Sequence, residues 1–322
     1  MSHSIRKIAV IGTGAVGGLY GALLAKSGLD VSFVMRSGLE HCRKFGFQIQ
    51  SIWGDFTSQN ISYLSSTKEI SDDTDLILIA IKSTENFNLT SILNPLHNKK
   101  ISILLIQNGI SQELLLHALL PHAKIFGGLA FLCSVKLGPG RIHHLDYGDL
   151  TIAESQKNEK SMGISEELLA IEKIFKSAQV PIQLEEDLIL ARWKKLVWNI
   201  PFNGLSVLLN AKTNELMEKK SSLQLIRGLM EEVQTAAKME GKKIEEDFLE
   251  ERIRRTALMK PYPTSMKLDY ENGRKMELNS IYHSVFQRAK NSNCSLPRIQ
   301  FLANALEYLE EMNLGKKINS LP

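Results

Sequence analysis

Three glycines near the start of the chain have the GxGxxG spacing that is typical of a phosphate-binding turn. The run follows an apolar, β-branched stretch and opens a helical pattern. In that context Gly12 permits a tight turn, Gly14 lets a pyrophosphate approach the backbone, and Gly17 allows close packing of helix on strand. The free N–H groups at the helix start favour phosphates. We therefore favour a dinucleotide site over a merely tight turn. The run consists of Gly12, Thr13, Gly14, Ala15, Val16 and Gly17.

The second candidate is a cation, Arg36, at the end of the next apolar stretch. Domains that prefer NAD normally place Asp or Glu there, to bind the ribose 2′-hydroxyl. The nearest acid here, Asp30, precedes the stretch and lies at its other end. A guanidinium with the neighbouring Ser37 can instead bind the 2′-phosphate of NADP through charge-assisted hydrogen bonds. The sequence thus predicts NADP binding; the alternative is a solvated arginine after a strand.

One cation and two amides recur at four-residue intervals in the second half of the chain. Lys195, Asn199 and Asn203 share one face of a predicted helix over residues 187–210. Their residue types are equally compatible with a solvent-facing stripe, because Lys and Asn are mostly exposed in proteins. Pro201 removes one backbone hydrogen bond and predicts a kink or an early break in this helix.

Two further polar residues follow apolar runs of strand length. Lys82 follows the run 76–81, and Asn108 follows the run 101–106 by two residues. The carboxyl ends of parallel strands line the ligand crevice in sheets of this kind, so both residues are candidates for ligand contacts. The alternatives are a surface lysine and a turn at Asn108-Gly109.

Ser265 and Glu277 are the last candidates, twelve positions apart. Ser265 is a candidate helix cap. From residue types alone, Thr264 or Ser265 caps a helix, and Glu277 pairs with a surface base.

The apolar periodicity predicts the elements that position these residues. Before about residue 184, β-branched runs alternate with helical stretches, which is typical of a parallel sheet covered by helices; afterwards only amphipathic helical pattern continues. The predicted fold class is α/β, with an N-terminal Rossmann-type parallel sheet domain that binds NADP, residues 1–184, and an all-helical C-terminal domain that binds substrate, residues 185–322. Residues 46–64 are predicted as a hairpin or irregular segment. The predicted strands are 5–11, 31–35, 76–81, 101–106, 130–135 and 150–153, with a turn at 138–140, and the predicted helices are 16–26, 84–94, 111–120, 187–210, 220–240, 266–291 and 297–312.

Composition excludes several classes of protein. Of the 322 residues, 43% are hydrophobic and 23% are charged, as in folded soluble chains. A formal charge of +4 favours small anions without requiring a nucleic acid. The three cysteines lie too far apart for a disulfide framework or a zinc site, which indicates a reducing cytoplasm. The uncharged stretch 8–25 contains five glycines and fits a strand, a turn and a helix better than a membrane span.

Taken together, the separated motifs resemble the ketopantoate reductases over nearly the whole chain. The resemblance implies NADPH-dependent reduction of the small keto acid 2-dehydropantoate to pantoate, a step of pantothenate biosynthesis, in the cytoplasm and without a metal, a nucleic acid or a membrane. The block that ends at Glu277 is the most specific. The matching pieces are the GxGxxG, Lys82, Gln107-Asn108-Gly109, Gly138-Pro139-Gly140 with Ile142-His143, Trp193-Lys194-Lys195-Leu196 through Asn199 and Asn203, and Ser265-Met266 with Asp269, Gly273-Arg274 and Glu277.

The resemblance implies a catalytic role for Lys195. This lysine would be the general acid that protonates the ketone oxygen as hydride reaches C2. Lys194 is the weaker candidate, because it lies about 100° round the helix from the amide face. Glu277, the second catalytic candidate, would hold a substrate hydroxyl, and Arg36 matches the 2′-phosphate position of the family.

The resemblance also implies binding roles. Asn199, Asn203 and Ser265 would bind the carboxylate and hydroxyl of the substrate. Lys82 and Asn108 would position the nicotinamide end of the cofactor and the substrate.

Three positions depart from the family pattern. Tyr262 stands where some members have a substrate-binding Asn, Pro201 interrupts the substrate helix, and Ala153-Glu154 replaces the usual Gly-Glu. Since these changes affect the exact substrate more than the reaction type, the alternatives are a reductase of another small 2-keto acid and an NADP-sensing protein without turnover. The sequence is compatible with a homodimer and contains no heptad pattern that decides it.

Overall fold

A computed structural model of the chain describes residues 4–58 and 60–319. The chain divides into two compact units, one of residues 1–107 and 112–191 and the other of residues 108–111 and 192–322. The sequence places the domain boundary at residue 184, whereas the first unit continues to residue 191. A short segment, 108–111, also belongs to the second unit although it follows a strand of the first.

Within the described residues, the first unit is built on a ten-stranded sheet. The strands are β1 (Lys7–Ile11), β2 (Asp30–Val34), β3 (Phe47–Ser51), β4 (Phe56–Ser58), β5 (Ile61–Leu64), β6 (Leu76–Ile79), β7 (Ser102–Ile106), β8 (Lys124–Gly138), β9 (Arg141–Ser155) and β10 (Ile182–Leu184). Their order is β4-β3-β9-β8-β7-β6-β1-β2-β5, with β10 beside β9. The strands from β8 to β5 in that order are parallel, which confirms the predicted Rossmann-type sheet. The helices of this unit are α1 (Ala15–Lys26), α2 (Leu39–Phe45), α3 (Leu89–Leu93), α4 (Gln112–Leu119) and α5 (Glu166–Ser177).

The central strands are buried on both faces, as their continuous apolar sequences predict. Alternate side chains of β6 and β7 face opposite sides: Leu78 and Leu104 pack in one core cluster, whereas Ile79 and Leu105 pack in another. A strand buried on both faces has no room along its length for a charged side chain. Polar candidates can therefore emerge only at strand ends, as Lys82 does after β6.

Two regions differ from the predicted strands in detail. Residues 46–64 contain the antiparallel hairpin of β3 and β4, followed by β5, which runs parallel to β2. The predicted strands at 130–135 and 150–153 are parts of two fifteen-residue strands, β8 and β9, which pair antiparallel around the predicted turn. Glycines interrupt the apolar pattern of β8, and two histidines and a glycine interrupt that of β9, so the sequence shows only their most apolar parts.

The second unit is helical, as predicted. Its helices are α6 (Leu188–Leu208), α7 (Thr213–Glu218), α8 (Lys220–Met239), α9 (Glu246–Ala257), α10 (Ser265–Glu271), α11 (Ser284–Asn291) and α12 (Pro297–Asn319), with a π-helical turn (Asn279–His283) before α11. The single helix predicted over 266–291 is wrong. Gly273 has φ +60 just after α10, and this left-handed residue ends the helix. Among the described residues, no helix combines the length and apolarity needed to cross a bilayer.

Of the two effects predicted for Pro201, a kink or an early break, the break is wrong, because α6 runs through this residue to Leu208. Ile200 and Phe202 on either side of the proline are fully buried. Tertiary packing of this kind outweighs the loss of one backbone hydrogen bond. The residues of the amide stripe therefore lie on one uninterrupted helix.

Glu232 on α8 caps the start of α12. It is buried, and its carboxylate accepts hydrogen bonds from the backbone N–H groups of Arg298 and Ile299, both at 3.0 Å. We expect Glu232→Ala to lower the free energy of unfolding by about 1–3 kcal/mol, because two buried donors lose a charged acceptor. Thermal denaturation measures the loss. Glu231→Ala is the matched control, since the neighbouring Glu231 is exposed and pairs only at the surface with Arg227; equal effects of the two substitutions would contradict the capping role.

Candidate active site

The glycine turn has the geometry that its spacing predicts. Gly12 has φ +97, and a β-carbon there would lie 2.7 Å from backbone atoms of Ala80. A β-carbon on Gly17 would lie 2.2 Å from the carbonyl oxygen of Gly12, so only glycine lets α1 pack this closely on the turn. A β-carbon on Gly14 would meet nothing within 4 Å, which means that this side of the turn is open.

The open side of the turn fits a dinucleotide. Gly14 is the N-cap of α1 and has no side chain that could occupy the first free N–H groups of the helix. These groups and the helix dipole favour an anion beside the turn. The residues that would hold the pyrophosphate of a nicotinamide dinucleotide are therefore those of the turn, residues 12–17.

Arg36 lies two residues beyond the carboxyl end of β2. Its side chain is 86% exposed and forms an ion pair with Glu85 at 3.3 Å. Asp30 is the first residue of β2, at the opposite end of the strand, and pairs with Lys7 at 3.8 Å. The carboxyl end of β2, where the resemblance predicts contact with a 2′-phosphate, thus has an accessible cation, and the acid of this strand lies at its other end.

Lys82 is exposed three residues beyond the end of β6, in a loop that a buried amide supports. Gln107, at the end of β7, donates from Nε2 to the carbonyl oxygen of Ile81 at 2.7 Å and to Oδ1 of Asn86 at 2.8 Å. The first bond holds the backbone directly before Lys82, and the second holds a side chain of the loop that follows it. Gln107 thereby orients the residue that the resemblance assigns to the nicotinamide end.

The sequence analysis missed a second cation at the glycine turn. Lys136 on β8 donates from Nζ to the carbonyl oxygen of Thr13 at 3.1 Å. Burial lowers the pKa of this lysine. No sequence signal could have identified it, because its approach to the turn depends on the length of the pairing between β8 and β9.

In the helical unit, the stripe on α6 is not solvent-facing. Asn199 is 5% exposed and Asn203 is 2% exposed. Nδ2 of Asn199 and Oδ1 of Asn203 have no hydrogen-bond partner among protein atoms. Leaving such buried amide atoms unbonded costs free energy, and in native proteins the exceptions are often found at functional sites. The two amides are therefore available for a polar ligand.

Lys195 lies one turn before Asn199 on the same face. The pKa of this lysine is lowered to about 7, chiefly by burial and also by the charge of Arg192, whereas the carboxylate of Glu277 acts in the opposite direction. A lysine with this pKa exchanges its proton readily at neutral pH and is suited to acid–base chemistry.

Glu277 is buried beside Lys195 and is fixed by a second candidate. Its Oε2 accepts a hydrogen bond from Nδ2 of Asn108 at 2.8 Å. The structure thus brings together Lys195, Glu277 and Asn108, although these residues are far apart in the sequence. The alternative for Glu277, a pair with a surface base, is wrong, because the residue is 7% exposed.

Ser265 does not cap α10. The cap is Thr264, whose side chain accepts from the backbone N–H of Lys267 and forms a 2.7 Å hydrogen bond with Ser206 on α6. Ser265, the first residue of the helix, is exposed and does not cap it. Its side chain therefore remains a candidate for substrate binding.

Comparisons with known proteins found matches along most of the chain. The family described as Ketopantoate reductase PanE/ApbA matches residues 8–157, and its C-terminal counterpart matches residues 187–310. A 2-dehydropantoate 2-reductase of Nostoc sp. is 41% identical over 308 residues, which is 96% of each chain.

Two solved structures have the same fold. The 2-dehydropantoate 2-reductase of Methylococcus capsulatus superposes with a TM-score of 0.87 at 32% identity and covers 95% of this chain and 97% of its own. The enzyme of the same name from Geobacter metallireducens has a TM-score of 0.87 at 35% identity and covers 94% of this chain and 99% of its own.

Proposed function

From the premise that this chain belongs to the ketopantoate reductase family, we propose that it reduces the ketone of 2-dehydropantoate to the hydroxyl of pantoate with NADPH. The observation that carries the proposal is the α6 face, where Lys195, with its lowered pKa, precedes two buried amides that have unbonded polar atoms. Such a face offers a proton donor and directional hydrogen bonds to a small polar substrate.

The bound cofactor would supply a hydride to the carbonyl carbon. The side chains of the protein would orient the substrate and donate the proton. As hydride arrives, negative charge develops on the ketone oxygen. The ammonium of Lys195 stabilises this charge and then donates its proton to the oxygen. Glu277 supports the step because its carboxylate favours the protonated form of Lys195, the form that acts as the acid.

The amides and the serine orient the substrate. Asn199 and Asn203 offer buried hydrogen-bonding atoms to the carboxylate and hydroxyl of the keto acid, and Ser265 adds an exposed hydroxyl at the start of α10. Asn108 donates a hydrogen bond to Glu277, whose carboxylate accepts a hydrogen bond from the hydroxyl of the keto acid. Correct placement of the carbonyl is the main contribution of these residues, because small errors in position cost large factors in rate.

Cofactor specificity rests on the first unit. The glycine turn binds the pyrophosphate, Lys82 positions the nicotinamide end, and Arg36 pairs with the 2′-phosphate that distinguishes NADPH from NADH. We place the reaction in the cytoplasm, because Cys42, Cys133 and Cys294 are free thiols and NADPH is used in reducing compartments.

The proposal is tested by following NADPH oxidation at 340 nm, roughly the absorbance maximum of reduced nicotinamide, with purified protein and ketopantoate. Pyruvate and a branched 2-keto acid are assayed in parallel. Faster turnover of either than of ketopantoate would show that the reductase acts on another keto acid, which the departure at Tyr262 makes the second candidate. Tight NADPH binding with no turnover of any keto acid would identify a sensing protein instead.

Asn203 is expected to show a trade between stability and function. Replacing it by leucine, which has a similar size, removes a buried carbonyl oxygen that lacks a partner. We expect Asn203→Leu to raise the free energy of unfolding by about 1 kcal/mol and to raise the KM for the keto acid about tenfold. Thermal denaturation and steady-state kinetics measure the two effects. A less stable variant with an unchanged KM would contradict the assignment of this amide to the substrate.

A further inference from the structure

We propose that Glu240 and Arg288 form a positioning pair that holds Asn108 and Glu277 in place at the substrate site, an inference that rests on the proposed function. Neither residue of the pair touches the reacting atoms. The pair acts through the segment 108–111, which belongs to the helical unit and carries Asn108.

The pair itself is well defined. Arg288 donates from Nε to both carboxylate oxygens of Glu240, at 2.8 and 3.0 Å, and from Nη2 to Oε2 at 2.8 Å. The two side chains are 16% and 15% exposed. Two parallel charge-assisted bonds fix the plane of a guanidinium, so the remaining nitrogen, Nη1, points in a defined direction.

That nitrogen holds the segment 108–111. Nη1 of Arg288 donates to Oγ of Ser111 at 2.7 Å. Ser111 has φ +67, a left-handed conformation that is strained for residues other than glycine and persists only where its surroundings enforce it. The hydrogen bond from Arg288 is a contact that holds Ser111 in this conformation.

The other end of the segment rests on the π-helical turn that follows Glu277. The N–H of Ile110 donates to the carbonyl oxygen of Ser280 at 3.2 Å. A β-carbon on Gly109, which has φ +93, would lie 2.1 Å from the same oxygen. The fit is therefore close enough that a shift of Ser111 would displace Asn108 relative to Glu277.

Glu240 also reaches the catalytic helix. Its Oε2 accepts a hydrogen bond from Nε1 of Trp193 at 3.1 Å. Trp193 is fully buried and lies two residues before Lys195 on α6. The Glu240 carboxylate thus contacts the helix that carries Lys195 directly, and it contacts the segment that carries Asn108 through Arg288. The positions of Lys195 and Glu277 therefore depend on the same carboxylate.

Kinetics of three variants test the pair. We expect Arg288→Ala to lower kcat/KM for ketopantoate about a hundredfold and Ser111→Ala about tenfold. Ser111→Asn should restore most of the activity, since asparagine tolerates φ above zero and its carbonyl can accept from Arg288. Arg227→Ala is the control, because Arg227 forms exposed ion pairs elsewhere on α8. Unchanged kcat/KM in Arg288→Ala and Ser111→Ala, or an asparagine variant as impaired as the alanine variant, would overturn the inference.

Hydrogen exchange tests the pair without any substrate. The Ile110 amide should exchange about tenfold faster in Arg288→Ala and Ser111→Ala than in the wild type, whereas the amides of α9 should not change. Unchanged exchange at Ile110 would overturn the inference even if activity fell. A wild type that does not reduce ketopantoate would refute the proposed function and leave the exchange measurement to decide the pair.

Discussion

Lys195→Ala is expected to lower kcat for ketopantoate by about 100- to 10,000-fold, the range over which a positioned general acid contributes. The alanine variant leaves the developing negative charge on the ketone oxygen without a proton donor. The glycine turn lies in the other unit of the chain, so NADPH affinity, measured by fluorescence titration, should stay within about twofold of the wild type.

Lys194→Ala is the matched control for this experiment. Lys194 carries the same charge one residue earlier on α6, about 100° round the helix from the amide face. Its removal should change kcat by no more than about twofold, because a side chain directed away from the amide face does not reach the ketone oxygen. If the Lys194 variant were as inactive as the Lys195 variant, the assignment of Lys195 as the proton donor would be wrong.

The pH dependence of the wild type should carry the signature of Lys195. A general acid must be protonated to act, and burial lowers the pKa of Lys195 to about 7. We therefore expect kcat/KM to be constant at acidic pH and to fall as pH rises through about 7. In kcat the same transition should occur at higher pH, because the carboxylate of the bound substrate favours the ammonium. If kcat/KM instead rose as pH increased through about 7, Lys195 would act as a general base and not as a general acid.

Local patterns were sufficient for the glycine turn and the parallel sheet. Each glycine of the turn is explained by atoms a few residues away or on the next strand, and the apolar runs of β6 and β7 show their burial directly in the sequence. Arg36 was accessible to the same reasoning, because its position relative to a strand end can be counted along the chain. Features of this kind are set by short stretches with strong periodicity.

The α6 stripe shows where such reasoning stops. Spacing placed Lys195 and the two asparagines on one face of a helix but left open whether that face meets solvent or protein. Burial of Asn199 and Asn203 is produced by packing in the helical unit, which periodicity within α6 cannot reveal. The resemblance to a family, rather than the residues themselves, gave the correct preference.

Contacts between distant segments were beyond reach for the same reason. Glu277 and Asn108 are 169 positions apart, and Arg288 and Ser111 are 177 apart. Residue types at these positions are compatible with many surface pairs. Residue types left open whether Thr264 or Ser265 caps α10, because the bond from Thr264 to Ser206 on α6 is also a tertiary contact.

Arg36→Ala is expected to weaken NADPH binding by about tenfold to a hundredfold, the effect of losing charge-assisted hydrogen bonds to a phosphate. NADH lacks the 2′-phosphate, so its dissociation constant should stay within about twofold. Calorimetric titration of both cofactors measures the change. Arg43→Ala is the matched control, because Arg43 is an exposed arginine of the same unit that pairs with Glu40 at 2.9 Å; it should alter neither affinity.

A substitution of Glu85 is expected to change NADPH affinity in the opposite direction, towards tighter binding. Its carboxylate forms an ion pair with the Arg36 guanidinium at 3.3 Å and would repel a phosphate that binds to the same guanidinium. Glu85→Gln removes the charge while it keeps an oxygen that can accept from Asn88, as Glu85 does at 3.0 Å. NADPH should therefore bind about two- to fivefold more tightly to this variant, with NADH unaffected. If both Arg36→Ala and Glu85→Gln left the ratio of NADPH to NADH affinity unchanged, the 2′-phosphate would have to bind elsewhere, and Lys136 beside the glycine turn would be the next cation to replace.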